Sequence, residues 1–449
     1  MPRSPRVAIV GAGPAGLLAA WNLRRVGFTD IVIFEKTDRP GGKARTYRDG
    51  DRLWNLGTSY TTLGFRTIHR LQKRYGVKDL KLPEASIVSE VGTATDFVSY
   101  VRGDGGRAAL YAEGVRYVGH WSRLFLATGF SYNAAATTHP ELAMPIREWL
   151  AKHDMPAIQR LYNRAFTVMG YGPTETTPML YGFRWVTPLL LISGILNKLW
   201  VPQSFEDVFI GLAGEFDVRY GHEVTDLIRE GDRVRVVGKG WEETVERVVL
   251  ATDFSQLAED ELEALIGQPV SINGSTWGLG VRPLFDDGGQ PPVGGVKEQI
   301  DDPRPFGLSG WRRANGAAGL EGTIYTAQIH YTDSDAEDVT LAQFDEALAA
   351  QLERLGLEVG EPLRQEIVYN YGPRLSSEQV RQGILMSEDG FVHNGPLWFT
   401  GALYSHDSTK ALAAETRRLA VAMARDAGVL KGVKARIATL RARFGPDSF

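Results

Sequence analysis

Residues 11–16 read Gly-Ala-Gly-Pro-Ala-Gly, and Glu35 follows at the end of the next apolar run. Glycines and an acid in this order bind a dinucleotide when a strand precedes the loop, a helix follows it, and the acid closes a second strand. Gly11 permits the tight turn, Gly13 lets the backbone approach a pyrophosphate, and Gly16 allows the helix to pack close to the strand. The first N–H groups of the helix and its positive dipole end then face the phosphates. Glu35 would accept hydrogen bonds from a ribose 2′-hydroxyl, and its charge disfavours a 2′-phosphate, which argues against NADP.

The flanking residues supply the elements that this chemistry needs. Val7–Val10 is a short β-branched run, and Leu17, Leu18, Trp21 and Leu23 follow at helical spacing up to Gly27, a C-terminal stop. Ile31–Phe34 is a second strand, so the opening is one βαβ unit. The same apolar run behind Arg3 and Arg6 has the outline of a secretory signal, but its glycines argue that it stays in the mature protein. Further on, helices are expected at Ile146–Lys152 and 155–166, and alternating strands at 216–220, 233–237 and 244–250. A strand at 322–331, a helix at 341–355, a strand meeting Gly401 and a helix over 409–427 complete the outline. The most apolar stretch, 185–201, is expected as a buried or pocket-lining helix. The basic residues Lys431, Lys434, Arg436, Arg441 and Arg443 are expected on a solvated helix face.

Composition excludes a good deal. The chain has 449 residues with 50 Lys+Arg against 54 Asp+Glu, so net charge gives no drive toward nucleic acid. With no cysteine there is no disulfide, thiolate metal site, cysteine nucleophile or cysteine-tethered flavin. The eight histidines form no HExxH or His-x-His pattern, and no metal site is expected. No transmembrane segment is found, and a cytoplasmic protein is expected.

The residues after Glu35 select the cofactor. Arg39-Pro-Gly-Gly-Lys-Ala-Arg-Thr46 resembles the Gly-Gly-x-x-Arg element of glutathione-reductase-2-type flavoproteins, the group that includes amine oxidases. Trp54-Asn-Leu-Gly-Thr-Ser59 resembles their next flavin-contacting turn, and Phe399-Thr-Gly401 the strand that completes their FAD site. The resemblance implies FAD, held by Gly11, Gly13, Pro14, Ala15, Gly16, Glu35 and Lys36, then by Gly42, Lys43, Arg45, Leu56, Gly57 and Thr58. It adds a backbone contact at Val224 and further contacts at Gly401, Ala402 and Thr409. Ala402 departs from the family, which usually has an acid there for the ribityl chain; Asp407 is the substitute at hand. The implied fold is α/β. A Rossmann-type FAD-binding domain comprises 1–80, 206–255 and 375–449, with a helical substrate or lid region at 81–205 and a mixed-sheet substrate domain at 256–374.

Within that group the chain is similar to bacterial polyenoic fatty acid isomerases. Phe166-Thr-Val-Met-Gly-Tyr-Gly172 and Tyr369-Asn-Tyr-Gly-Pro-Arg-Leu-Ser-Ser-Glu378 carry the more specific part of the likeness, since FAD binding does not require them. The resemblance implies redox-neutral double-bond migration: a hydride leaves an activated carbon for flavin N5 and returns to a different carbon. Such chemistry needs a dry pocket with aromatic faces. Tyr171 and Tyr371 are the expected catalytic pair, with Phe166, Tyr181, Arg184, Trp185 and Trp277 toward substrate. His393 and His406 are further acid–base candidates. Where that family carries an arginine cluster, this chain reads Lys81-Leu-Pro-Glu-Ala-Ser86, so an apolar or neutral unsaturated small molecule is the expected substrate. Lys297 is the nearest candidate for the amine-oxidase lysine. An oxidase or dehydrogenase of the amine-oxidase type, with net substrate oxidation, is the alternative, and a non-catalytic lipid- or partner-binding protein is a third reading. Oligomeric state is left open.

Overall fold

The computed structural model describes residues 4–49, 52–57, 60–81, 86–88, 94–166, 170–252, 263–264, 273–285, 312–313, 323–332, 339–354, 358–359, 361–385, 393–445 and 447–448. Its central sheet has six strands, in the order Asp217–Arg219, Ile31–Phe34, Val7–Val10, Arg247–Leu250, Leu397–Phe399 and His393–Asn394. All pairs are parallel except the last, an antiparallel edge.

The inner strands are apolar in unbroken runs because both faces of the sheet are covered. Val7, Ile9, Ile33, Val249 and Trp398 pack into one core with the helices Pro14–Val26, Phe205–Ala213 and Thr409–Asp426. The alternate residues Ala8, Val10, Val32, Phe34, Val248 and Leu250 join the other core. There they meet Val234, Val236 and Val245 of an antiparallel meander, Val224–Glu230, Arg233–Gly238 and Trp241–Val245. Phe34 stacks on Trp241 with ring centres 4.6 Å apart. Gly27 ends the opening helix in the left-handed region, φ 115°, where its N–H reaches the Arg24 carbonyl. The run with the outline of a secretory signal is thus the middle of the fold.

Two helical expectations need correction. The 155–166 segment is not one helix: Pro156–Leu161 is α-helical and Tyr162–Phe166 is a π turn. The widened turn sits where the Tyr162 hydroxyl pairs with that of Tyr117 at 2.7 Å. The 185–201 stretch is not a single buried helix either. Met179–Trp185 ends, Thr187 caps a new helix Pro188–Ile195, and Leu199–Pro202 is a strand paired with Thr61–Thr62 and Asp79–Lys81. Pro188 lacks an N–H and turns the residue before it away from helical geometry, which forces the restart. Ile192, Ile195 and Leu196 of this stretch are exposed.

A second sheet sets Asn273–Phe285 between Thr323–Thr332 and Arg364–Arg374, all antiparallel, with helix Leu341–Arg354 against it. Arg364–Arg374 carries Tyr371 to the loop after Leu397–Phe399, where Gly372 donates to Asp407.

Candidate active site

The glycine loop is held by its own backbone. Gly11 has φ 101°, and its N–H donates to the Phe34 carbonyl at 2.8 Å. A Cβ on Gly16 would lie 2.0 Å from the Gly11 carbonyl oxygen, so only glycine fits that helix-to-strand approach. The opening helix has Pro14 in its first turn, with no side-chain cap and no acid there. Its N-terminus is therefore available to a diphosphate. Gly41 donates to the Ala12 carbonyl at 2.9 Å, and a Cβ on Gly42 would stand 3.1 Å from the Gly13 Cα. The two glycine segments thus touch backbone to backbone.

Glu35 is buried, and its carboxylate accepts the Ala12 N–H at 2.7 Å. The other oxygen accepts from the Thr37 N–H and hydroxyl, at 2.9 and 2.8 Å. Lys36, next in the chain, is exposed, and Arg45 donates to the Gly42 carbonyl at 3.3 Å. Leu56 donates its N–H to the Arg45 carbonyl at 2.8 Å, and a Cβ on Gly57 would lie 2.0 Å from the Lys43 oxygen. Thr58 and Lys297 lie outside the described residues. Val224 opens the meander strand opposite Gly238.

At the far edge of this cradle, Gly401 takes φ 134°, and a Cβ there would meet nothing within 4 Å. Thr409 starts the helix Thr409–Asp426, whose cap residue Ser408 makes no side-chain bond. The hydroxyls of Thr400 and Thr409 are buried with no hydrogen-bond partner among the described residues. Orphaned hydroxyls beside an uncapped helix N-terminus suit the polar edge of a bound cofactor. A nucleotide end built from glycines and a carboxylate, and a distal end with unused donors, fit FAD.

Three segments converge on Tyr371. Asp407 accepts the Gly372 N–H at 3.1 Å and lies 3.9 Å from the Lys43 ammonium, which sits 5.3 Å above the Tyr371 ring. Tyr371 stacks on Tyr171 at 6.0 Å, and Tyr171 lies 4.2 Å from the ring of His406, edge to face. Phe166 packs on His406 and Trp185 on Tyr171. The Trp185 indole donates to the Tyr60 hydroxyl at 3.1 Å. Burial, with Tyr171 and Asp407 adding to it, drives the Tyr371 hydroxyl well above its usual range. His406 is pushed down to about 3 by burial, then by Arg184 and Lys410, so its ring is neutral at pH 7. Its φ of 151° is unusual for a residue with a side chain, and its Nε2 is buried without a partner among the described residues.

The other expected substrate residues lie elsewhere. The Tyr181 hydroxyl accepts the Leu375 N–H at 2.9 Å and pairs with Tyr132 at 2.8 Å, tying the helical region to the 375 and 403 backbones. Arg184 donates to the Phe130 carbonyl at 2.6 Å and lies over the Tyr132 ring. With Arg418 and Tyr404 it lines a cleft of about 1310 Å³ that Tyr171 and Tyr371 do not reach. Trp277 lies on the central strand of the second sheet, opposite His330 and Val368. His393 is exposed and stacks on Trp398, away from the cluster. Sequence reasoning missed Tyr60 and Thr400. Tyr60 directly follows the second flavin-like turn and Thr400 precedes Gly401, so both were within reach of the motifs.

A family described as an NAD(P)-binding Rossmann-like domain matches residues 9–75. A polyenoic fatty acid isomerase of Ptilota filicina is 26% identical over 212 residues, 41% of each chain. An L-amino-acid oxidase of Crotalus adamanteus is 42% identical over 98 residues, 22% of this chain and 18% of that one. The chain thus matches less than half the length of these curated relatives. Among solved structures, a fatty acid isomerase of P. acnes that produces CLA superposes with a TM-score of 0.77 at 22% identity. That match covers 93% of this chain and 98% of the other. A putrescine oxidase variant gives 0.66 at 16% identity, over 94% and 99%. The chain therefore has the fold that the fatty acid isomerase and putrescine oxidase structures share, with an NAD(P)-binding Rossmann-like segment over residues 9–75.

Proposed function

We propose that this FAD-dependent enzyme shifts a double bond within an apolar unsaturated substrate, without net oxidation. The observation that supports it most is the cluster of Phe166, Tyr171, Trp185 and Tyr371 around a neutral His406. When bound, the flavin would supply a reversible two-electron hydride acceptor, so that a double bond could move without an outside oxidant. Aromatic faces favour the positive charge left on the substrate, and their burial keeps water from capturing it. His406, uncharged, adds no opposing charge. Tyr171 and Tyr371, stacked and hydrogen-bonded to one another, hold the substrate's orientation. Glu35 and the loops at 11–16 and 41–45 bind the nucleotide half. Phe166 and Trp185 form the substrate wall.

The division into an FAD domain of 1–80, 206–255 and 375–449, a helical region of 81–205 and a sheet domain of 256–374 is part of this proposal. The L-amino-acid oxidase matches over 22% of this chain, and the putrescine oxidase shares the fold at 16% identity, so the alternative chemistry needs its own test. Anaerobic incubation with polyunsaturated fatty acids and neutral polyenes distinguishes the two. Many turnovers to products of unchanged mass are expected. Hydrogen peroxide released in proportion to substrate consumed in air would overturn the proposal.

A further inference from the structure

The last helix, Gly432–Arg443, carries two apolar faces. Ala435 and Ala442 are buried where it packs on Thr409–Asp426. On the opposite side stand Val433, Ile437, Leu440 and the capping Phe444, exposed by 72, 45, 60 and 39%. Steps of four, three and four residues align them in one stripe along the helix. The helix is small where it meets the protein and large where it meets solvent, the reverse of what core packing requires. Leu126, 61% exposed, continues the patch onto the end of helix Gly106–Thr128. Arg443 donates to the Leu126 carbonyl at 2.7 Å, and Phe444 meets Phe125 edge to face. Scattered apolar surface residues are ordinary, but an aligned and continuous patch marks a binding face.

Charge identifies the partner. Helical geometry puts Lys434 and Arg441 along one flank of the stripe and Arg436 and Arg443 along the other. The helix has no acidic residue, although the chain as a whole carries −4. Among the described residues, Lys434, Arg436 and Arg441 have no ion pair. A second copy docked through the same patch would set cations against cations. Nucleic acid would leave Val433, Ile437 and Leu440 without a counterpart. An anionic bilayer meets both features, with acyl chains for the stripe and phosphates for its flanks.

We propose that Gly432–Arg443 and the adjoining Leu126 form a peripheral docking face for anionic lipid membranes. The apolar stripe enters the boundary between headgroups and acyl chains, and the four cations remain at phosphate level. No helix among the described residues is long and apolar enough to span the bilayer, so the contact is a surface one. The cleft of about 1310 Å³ has Arg436, Leu440 and Arg443 on one wall, so docking brings its rim to the lipid.

Flotation of the flavin-loaded full chain on vesicles tests this. Binding is expected to phosphatidylcholine vesicles containing phosphatidylglycerol, and about tenfold or more weaker binding to phosphatidylcholine alone, with loss at high salt. The pair Ile437→Glu and Leu440→Glu should abolish flotation. Arg436→Gln and Arg441→Gln should each weaken it about fivefold. Flavin absorbance and melting temperature should stay unchanged in all three variants. Failure of the parent protein to float on anionic vesicles would overturn the proposal. So would undiminished flotation of the glutamate pair, a dimer in solution that Leu440→Glu dissociates, or equal retention on DNA.

Discussion

The nucleotide cradle and the aromatic cluster are built on opposite principles. The cradle is backbone: Gly11, Gly16, Gly41, Gly42 and Gly57 allow contacts that any Cβ would block or strain, and a single carboxylate organises the loop. The cluster is side chain: Phe166, Tyr171, Trp185, Tyr371 and His406 come from three distant parts of the chain and meet through ring-to-ring contacts. A backbone site tolerates almost no substitution at its glycines but little depends on the residues between them. A packed aromatic site can lose one hydroxyl and keep its shape.

That contrast can be broken at either end. Gly16→Val should have the largest effect, because the new Cβ starts 2.0 Å from the Gly11 carbonyl oxygen. Flavin retention is expected to fall by about 100-fold or more, as a shift of roughly 3 kcal/mol implies. Near-normal flavin content on the purified variant would refute the backbone account. Glu35→Ala comes next, with flavin affinity reduced about 10- to 100-fold, matching roughly 1.5–3 kcal/mol for hydrogen bonds to a charged group; fluorescence titration of the apoprotein measures it. Tyr171→Phe should lower turnover about tenfold while flavin content and melting temperature hold. Unchanged turnover would return the hydroxyl to a packing role.

A last effect is in the pH dependence of stability. His406 is held at about 3 in the folded protein against 6.5 in the unfolded chain. Between those values the unfolded chain takes up a proton that the native state refuses. Stability therefore drops as pH falls from about 6.5 toward 3, and above 6.5 the ring contributes no slope. His406→Gln should flatten that part of the stability profile, as read by urea denaturation across the window; an unaltered slope would show that other groups set it.

The same contrast explains what could be read from residues alone. The cradle was legible because its spacing is local: Gly11 to Gly16 lie in one turn, and Glu35 ends the neighbouring strand. The strand runs were legible because both faces of the central sheet are buried. The aromatic cluster was legible only in part. Tyr171 and Tyr371 were marked by their glycine-rich segments, but their pairing with His406 depends on the fold of the 401–409 loop. Tyr181 and Arg184 share a helix with Trp185 yet turn toward Tyr132, a choice made by tertiary contacts that periodicity does not encode. The restart at Pro188 was signalled by the proline and masked by the hydrophobic residues around it. The outward stripe of the last helix was hidden for a different reason: small alanines on one side and larger aliphatics on the other give no net amphipathic signal.

The carboxylate of Glu35 grips the Ala12 amide with the protein's own atoms, so the shape that receives the nucleotide is set before any nucleotide arrives. Loading is then a matter of docking at a loop already held in shape. A polypeptide stripped of its pigment should keep this end of its structure, and recolour on mixing at a rate proportional to the concentration of added cofactor.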